Sequence, residues 1–308
     1  MSLRYTHQDR EILTSLAGYR ALSVRHLALL CKRNTRALRR RLHGLMDAGF
    51  VTVGTESFVD RRGRPEQVLS LTQAGVQRLK ADGVLSRDLS WQQASNHNLP
   101  CLRHHLLLNE FRIQLLQVPQ LVPLLTVHSR CPSSPLSSRS ADGRSLRQEK
   151  VVAAKSTKGY VEFVPDCVFA LGDGEANKTV LFYLEVDLGT ESLTSPQRTG
   201  GDVREKITDY QACFRTQQYK GYGQLWGADL RGFRLLFLAS STSRMAGLCQ
   251  LARRTPPADF IWLTDQESML SKGIWAPIWV RGGRCDGPLY SILGSRAPSP
   301  SPSPAEVA

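Results

Sequence analysis

The stretch GYVEFVPDCVFALGDGEANKTVLFYLEVDLGTESL, residues 159–193, decides the fold. Its two halves, 161–171 and 179–187, are rich in Val, Phe, Tyr and Leu and flank a Gly/Asp/Asn turn at 172–177. That pattern predicts a β-hairpin buried on at least one face. Three acids interrupt it. Asp166 follows Pro165 inside the first strand, and Glu185 and Asp187 end the second. Side chains alternate along a strand, so Glu185 and Asp187 share a face and Val186 takes the other. Carboxylates side by side repel each other unless a cation lies between them. With Asp166 on the adjoining strand they make an all-oxygen set of the kind Mg2+ or Mn2+ prefers. Such a metal activates water and stabilises charge on a phosphate. The competing reading is structural: acids that end strands and pair with arginines.

Working outward, a polar loop SLTSPQRTGG (192–201) leads into a helix at 202–219. Lys206 and Tyr210 stand at i and i+4 and share a face. That face presents Lys206 to a phosphate, or leaves a surface lysine beside a half-buried tyrosine. GFRLLFLAS (232–240) reads as a buried strand, SRMAGLCQLARR as a helix and FIWLT (260–264) as a short strand. Upstream, CLRHHLLLNEFRIQLLQ (101–117) is an amphipathic helix carrying His104, His105 and Glu110. The order of helix, two or three strands, helix, strand, helix, strand resembles the restriction-endonuclease-like fold. That fold is a mixed sheet flanked by helices, with a site built on a PD…(D/E)xK signature. Residues 101–294 are therefore expected as one α/β domain, with a flexible loop at 129–147.

The N-terminal 5–82 carry a different pattern. A helix near 7–17 has Ile12, Leu13 and Leu16 as its apolar stripe. Ser23 caps a second helix. Asn34 or Thr35 caps a third, TRALRRRLHGLMDA. On this third helix Leu38, Leu42 and Leu45 fall in one arc, with Arg33, Arg36, Arg40 and His43 opposite. One face can pack on the second helix while the other enters a DNA major groove. A short strand, the basic turn DRRGRPE (60–66) and a returning strand then make a wing. Arg61, Arg62 and Arg64 on it would contact phosphate or the minor groove. A last helix follows, capped by Thr72, and offers a homodimerisation surface. The expectation is a winged helix-turn-helix bound to double-stranded DNA, joined by a linker at 83–100 to the second domain.

Composition agrees. The formal net charge is +13, and residues 1–87 hold 16 Lys/Arg against 7 Asp/Glu. Concentrated positive charge predicts a polyanionic partner. The seven cysteines (Cys31, Cys101, Cys131, Cys167, Cys213, Cys249, Cys285) form no CxxC and are expected as reduced thiols, with no zinc site. No apolar run reaches the roughly 18–20 residues that span a bilayer. The N-terminus MSLRYTHQDREIL has no signal-peptide core. A soluble, cytoplasmic protein is expected, ending in a disordered Ser/Pro tail at 295–308.

The winged helix, the HHLLLNEFR helix, VPDCVFAL, FYLEVDLGTESL, the KITDY helix and LLFLASSTSR together resemble the replication-relaxation family of plasmids and mobile elements, over most of 6–281. The resemblance implies a role in plasmid replication, DNA relaxation or mobilisation, with plasmid replication or transfer proteins as partners. It also implies a metal-dependent, site-specific DNA nickase or relaxase. Asp166, Glu185 and Asp187 would then hold the metal, and Lys206 would stand in for the signature's lysine. The sequence departs from the signature in having Asp187 where that lysine belongs. The alternative is a non-enzymatic regulator of replication or transcription with an inactive nuclease-like domain.

Overall fold

The computed structural model describes residues 4–54, 58–59, 65–95, 102–132, 134, 136, 151–156, 159–194 and 202–298, and at 58–59, 65–66, 151–156 and 159–162 the backbone alone. The chain divides into two compact units: Met1–Ile113 with Cys131–Gln148, and Gln114–Arg130 with Glu149–Ala308.

The first unit starts with α1 (His7–Tyr19), β1 (Leu22–Ser23), α2 (Val24–Leu30) and α3 (Thr35–Asp47). It continues through β2 (Val51–Val53), β3 (Phe58–Val59), β4 (Pro65–Glu66), β5 (Val68–Leu71) and α4 (Gln73–Ala81). Each helix starts where a side chain takes up an orphan amide. Thr6 and Asp9 form a capping box on α1, Ser23 accepts from His26 N, Asn34 from Arg36 N and Thr72 from Gly75 N. β1, β5 and β2 form an antiparallel sheet in that order, and β3 pairs with β4 beyond it. Three helices followed by a strand, an outlying hairpin and a returning strand are the expected winged helix-turn-helix. Leu13, Leu16, Leu27, Leu38, Leu42, Leu45, Leu71 and Val76 form its core. At Gly75 a Cβ would stand 2.2 Å from the Phe50 carbonyl oxygen, so only glycine lets α4 pack this closely.

The unit extends past the expected boundary at 83–100. After α5 (Trp91–Ala94), helix α6 (Leu102–Leu115) belongs to it through Ile113, although the sequence pattern assigned that helix to the second domain. The reason is polar. Asn109 donates to the carbonyls of Tyr19 and Ala21, both at 2.8 Å, and the buried Glu110 carboxylate meets Arg25 and His26 on α2. The His104 and His105 rings pack edge to face. Much of the expected loop at 129–147 lies outside the described residues, but Ser134 Oγ donates to Gly18 O at 2.8 Å.

The second unit holds a seven-stranded mixed sheet. In chain order it comprises α7 (Val118–Leu121), β6 (Leu125–Arg130), β7 (Val151–Ser156), β8 (Gly159–Phe163), β9 (Cys167–Asp173), β10 (Lys178–Asp187), α8 (Val203–Arg215), α9 (Lys220–Trp226), β11 (Phe233–Ala239), α10 (Thr242–Arg254), β12 (Ile261–Asp265), α11 (Gln266–Lys272), β13 (Trp279–Arg281) and β14 (Leu289–Tyr290). The sheet runs β14-β13-β12-β11-β10-β9-β6, with β7 and β8 pairing apart. β6, β9 and β10 are antiparallel, and β10, β11 and β12 are parallel. A helix, an antiparallel meander, a helix and a parallel strand reproduce the restriction-endonuclease-like order. Tyr183, Ile207, Tyr210, Leu235, Phe237, Leu248 and Leu263 pack on one face of the sheet.

Two expectations change. The strand predicted at 161–171 is two strands, interrupted at 164–166, because Pro165 has no N–H for a ladder. Asp166 therefore lies in the break and not inside a strand. The tail also starts later: Arg296 binds Asp173 at 2.9 Å and Glu175 at 2.6 Å, and 299–308 lie outside the described residues.

Candidate functional site

Two groups of residues carry the functional chemistry, one in each unit. In the first, α3 turns Leu38, Leu42 and Leu45 into the core and exposes Arg36, Arg39, Arg40 and His43. At 3.6 residues per turn these four form one stripe. Arg36, Arg40 and His43 are where the sequence placed them. Arg39 went unnamed, although the same helical wheel puts it there. Arg33 is a correction: it precedes the helix and its guanidinium lies 3.8 Å from Glu11. Arg41 turns away from the stripe to the buried Asp9 carboxylate and to Arg4 O. Burial pushes the Asp9 carboxyl up, but Arg41 and Thr6 outweigh it and hold it below the ordinary aspartate range. The pair thus fixes α3 against α1. The wing arginines Arg61, Arg62 and Arg64 lie outside the described residues.

In the second unit, Glu185 and Asp187 do share the face of β10 turned toward α8 and α10. Their partners differ. Tyr210 Oη, itself fully buried, donates to Glu185 Oε1 at 2.5 Å, and Lys206 Nζ lies 3.1 Å from Oε2. Asp166 Oδ2 accepts the Val186 amide at 2.8 Å, between the two acids of β10. Burial, and then the Asp166 charge, push the Glu185 carboxyl up to about 7 against the pull of Lys206 and Tyr210. Burial alone would lower the Lys206 pKa, but Glu185 and Glu191 outweigh it and the ammonium is held above its ordinary value. Asp166, Glu185 and Lys206 therefore form one electrostatic cluster.

Asp187 does not join it. Its two oxygens are taken by Arg244 of α10, and Oδ1 also accepts Gly189 N at 2.6 Å. Arg244 reaches on to Glu191 O at 2.7 Å, and the Glu191 carboxylate lies 3.2 Å from Lys206. The expected three-carboxylate cage is thus not formed. Among the described residues no group of three or more His, Cys, Asp or Glu side chains converges to hold a metal. The arginine was missed because nothing in the spacing ties Asp187 to a residue on a later helix. Tyr210, buried against Tyr183, Phe163 and Phe233, is a partner of Glu185 and has no access as a nucleophile.

Fold and clusters define a winged-helix protein with a nuclease-like second unit. The sequence model of the replication-relaxation family matches residues 13–226. The chain belongs to that family, whose description points to a replication-related, DNA-associated function. No curated protein matches the chain. Among solved structures, a MarR family transcriptional regulator from Silicibacter pomeroyi DSS is similar at 24% identity and a TM-score of 0.21. The likeness covers 30% of this chain and 60% of that one, too slight to add to the topology. Among the described residues no helix is long and apolar enough to cross a membrane.

Proposed function

We propose that this protein binds a specific site on double-stranded DNA through α3 and nicks one strand with Asp166, Glu185 and Lys206. The supporting observation is the meeting of two carboxylates and a lysine at the end of β10, on an αβ order that suits a nuclease. The donor set fits Mg2+ or Mn2+ with two carboxylates, Asp166 and Glu185, since such ions take one or two protein carboxylates and complete their shell with water and phosphate. The mutual repulsion of this pair is what a divalent cation relieves. When bound, the ion would supply Lewis-acid stabilisation of the phosphate and a more acidic water.

The chain's own groups prepare that site. Tyr210 holds Glu185 Oε1 and the Val186 amide holds Asp166 Oδ2, so both acids are oriented before DNA arrives. Lys206 keeps its charge and faces the negative charge that develops on the phosphate. Asp187, through Arg244, fixes the backbone at Glu191 and so the loop beside Lys206.

A second reading is binding without cleavage, as a regulator of replication or transcription. It is favoured by Glu185 and Asp187 already holding cationic partners within the chain. Supercoiled plasmid carrying the gene's flanking DNA separates the two. Open circle formed in Mg2+ or Mn2+, and lost in EDTA and in Asp166→Asn, supports the nickase. Intact band shifts with no open circle from any flanking or plasmid-origin fragment support the regulator. Homodimerisation and plasmid replication or transfer proteins as partners belong to both readings.

A further inference from the structure

Two thiols in the second unit lie outside all of this chemistry. Cys249 is on α10 and is fully buried, whereas Cys285, in the turn after β13, is exposed. The turn rests directly on the helix. Gly283 has φ +73°, and a Cβ there would fall 2.2 Å from Cys249 O. Cys285 Sγ lies 3.7 Å from Gly283 O, and the Cys285 and Cys249 thiols are hydrogen-bond partners. The other described cysteines, Cys31, Cys131, Cys167 and Cys213, are all buried.

We propose that Cys249 and Cys285 are a peroxide-reactive dithiol that closes to an intramolecular disulfide. Exposure makes Cys285 the first to meet an oxidant. Burial, and then the neighbouring Cys285, push the Cys249 thiol up to about 12, so Cys249 waits as a protonated resolving group. In the first step the Cys285 thiolate attacks hydrogen peroxide. An S–O bond forms, the O–O bond breaks and hydroxide leaves, giving a sulfenic acid. In the second step Cys249 sulfur attacks that sulfenic sulfur. The S–S bond forms, the S–O bond breaks, and the Cys249 proton departs with hydroxide as water. Two thiols and one peroxide thus become one disulfide and two waters, with the sulfur pair oxidised by two electrons. A thiol reductant reverses the change. The product covalently joins the turn at 282–285 to α10.

The test uses the full reduced chain treated with hydrogen peroxide, alkylated and digested without reductant for mass spectrometry. The expected product is a Cys249–Cys285 linked peptide, lighter by two hydrogen atoms and opened by dithiothreitol. In Cys249→Ser the sulfenic acid on Cys285 should persist and be trapped by dimedone. The proposal is overturned if wild-type Cys285 accumulates as sulfenic or sulfonic acid while Cys249 stays alkylatable. Capture of Cys285 in a disulfide between two chains would also overturn it. The wild-type measurement decides even if the variant fails to fold, and neither outcome bears on nicking.

Discussion

Asp187 and Arg244 meet in a two-pronged ion pair, Nε to Oδ1 and Nη2 to Oδ2, each at 2.9 Å. Parallel, charge-assisted bonds of this kind are strong and directional. They occupy a carboxylate that the sequence pattern offers to a metal. Asp187→Ala should therefore destabilise the fold by about 3 kcal/mol, since it leaves a largely buried guanidinium without its partner. Mn2+ binding, followed by calorimetry, should persist with at most a few-fold loss. Complete loss of Mn2+ affinity in a folded Asp187→Ala protein would make Asp187 a ligand after all.

Lys206 faces the opposite demand. Lys206→Met keeps most of the side-chain volume and removes the charge beside Glu185. Nicking should fall by about a hundredfold or more, the size of one lost electrostatic contact in a transition state. Affinity for the DNA site, measured by fluorescence anisotropy, should stay within about threefold because α3 lies in the other unit.

The raised carboxyl of Glu185 makes stability depend on pH. An unfolded glutamic acid titrates near its ordinary value of 4.5, whereas the folded one holds its proton up to about 7. Between those values the folded state binds more protons, so this group's contribution to stability falls as pH rises. Urea unfolding at pH 5 and pH 8 should show a larger loss of stability for wild type than for Glu185→Gln. Equal pH dependence in the two proteins would rule out a strained carboxylate at this position.

The Asp9–Arg41 pair sets the placement of the recognition helix. Arg41→Ala leaves a fully buried acid on α1 without its cation and should cost on the order of 3 kcal/mol in chemical denaturation. Arg40→Ala, on the exposed stripe, should leave stability unchanged and weaken site-specific DNA binding by roughly 1–3 kcal/mol. A loss of DNA affinity in Arg41→Ala with unchanged stability would instead make Arg41 a DNA contact.

Local order was legible where one stretch of chain fixes it. The alternation in 179–187 gave β10 and the shared face of Glu185 and Asp187, and the wheel of α3 gave its buried leucines and exposed arginines. What escaped depends on residues far apart in sequence. Nothing near Asn109 shows that its amide will satisfy the carbonyls of Tyr19 and Ala21 and draw α6 into the first unit. Asp187 and Arg244 are 57 residues apart, and an acid at a strand end reads alike whether a metal or an arginine awaits it. Pro165 was visible, but whether it sits at a strand edge or in a break is decided by the neighbouring strand.

Asp166 has a second employment. The register of β10 with β9 ends at Leu184 and Cys167, and beyond it the Asp166 carboxylate receives the Val186 amide. The side chain continues the work of the strand that Pro165 interrupted. A lineage that lost cleavage would still be under selection to keep an acceptor here, because a bare amide at the sheet margin is costly. Persistence of aspartate at this position among relatives would therefore mark the integrity of the sheet as much as catalysis. Glu185 and Lys206, whose pairing serves no backbone group, are where divergence would separate active branches from inactive ones.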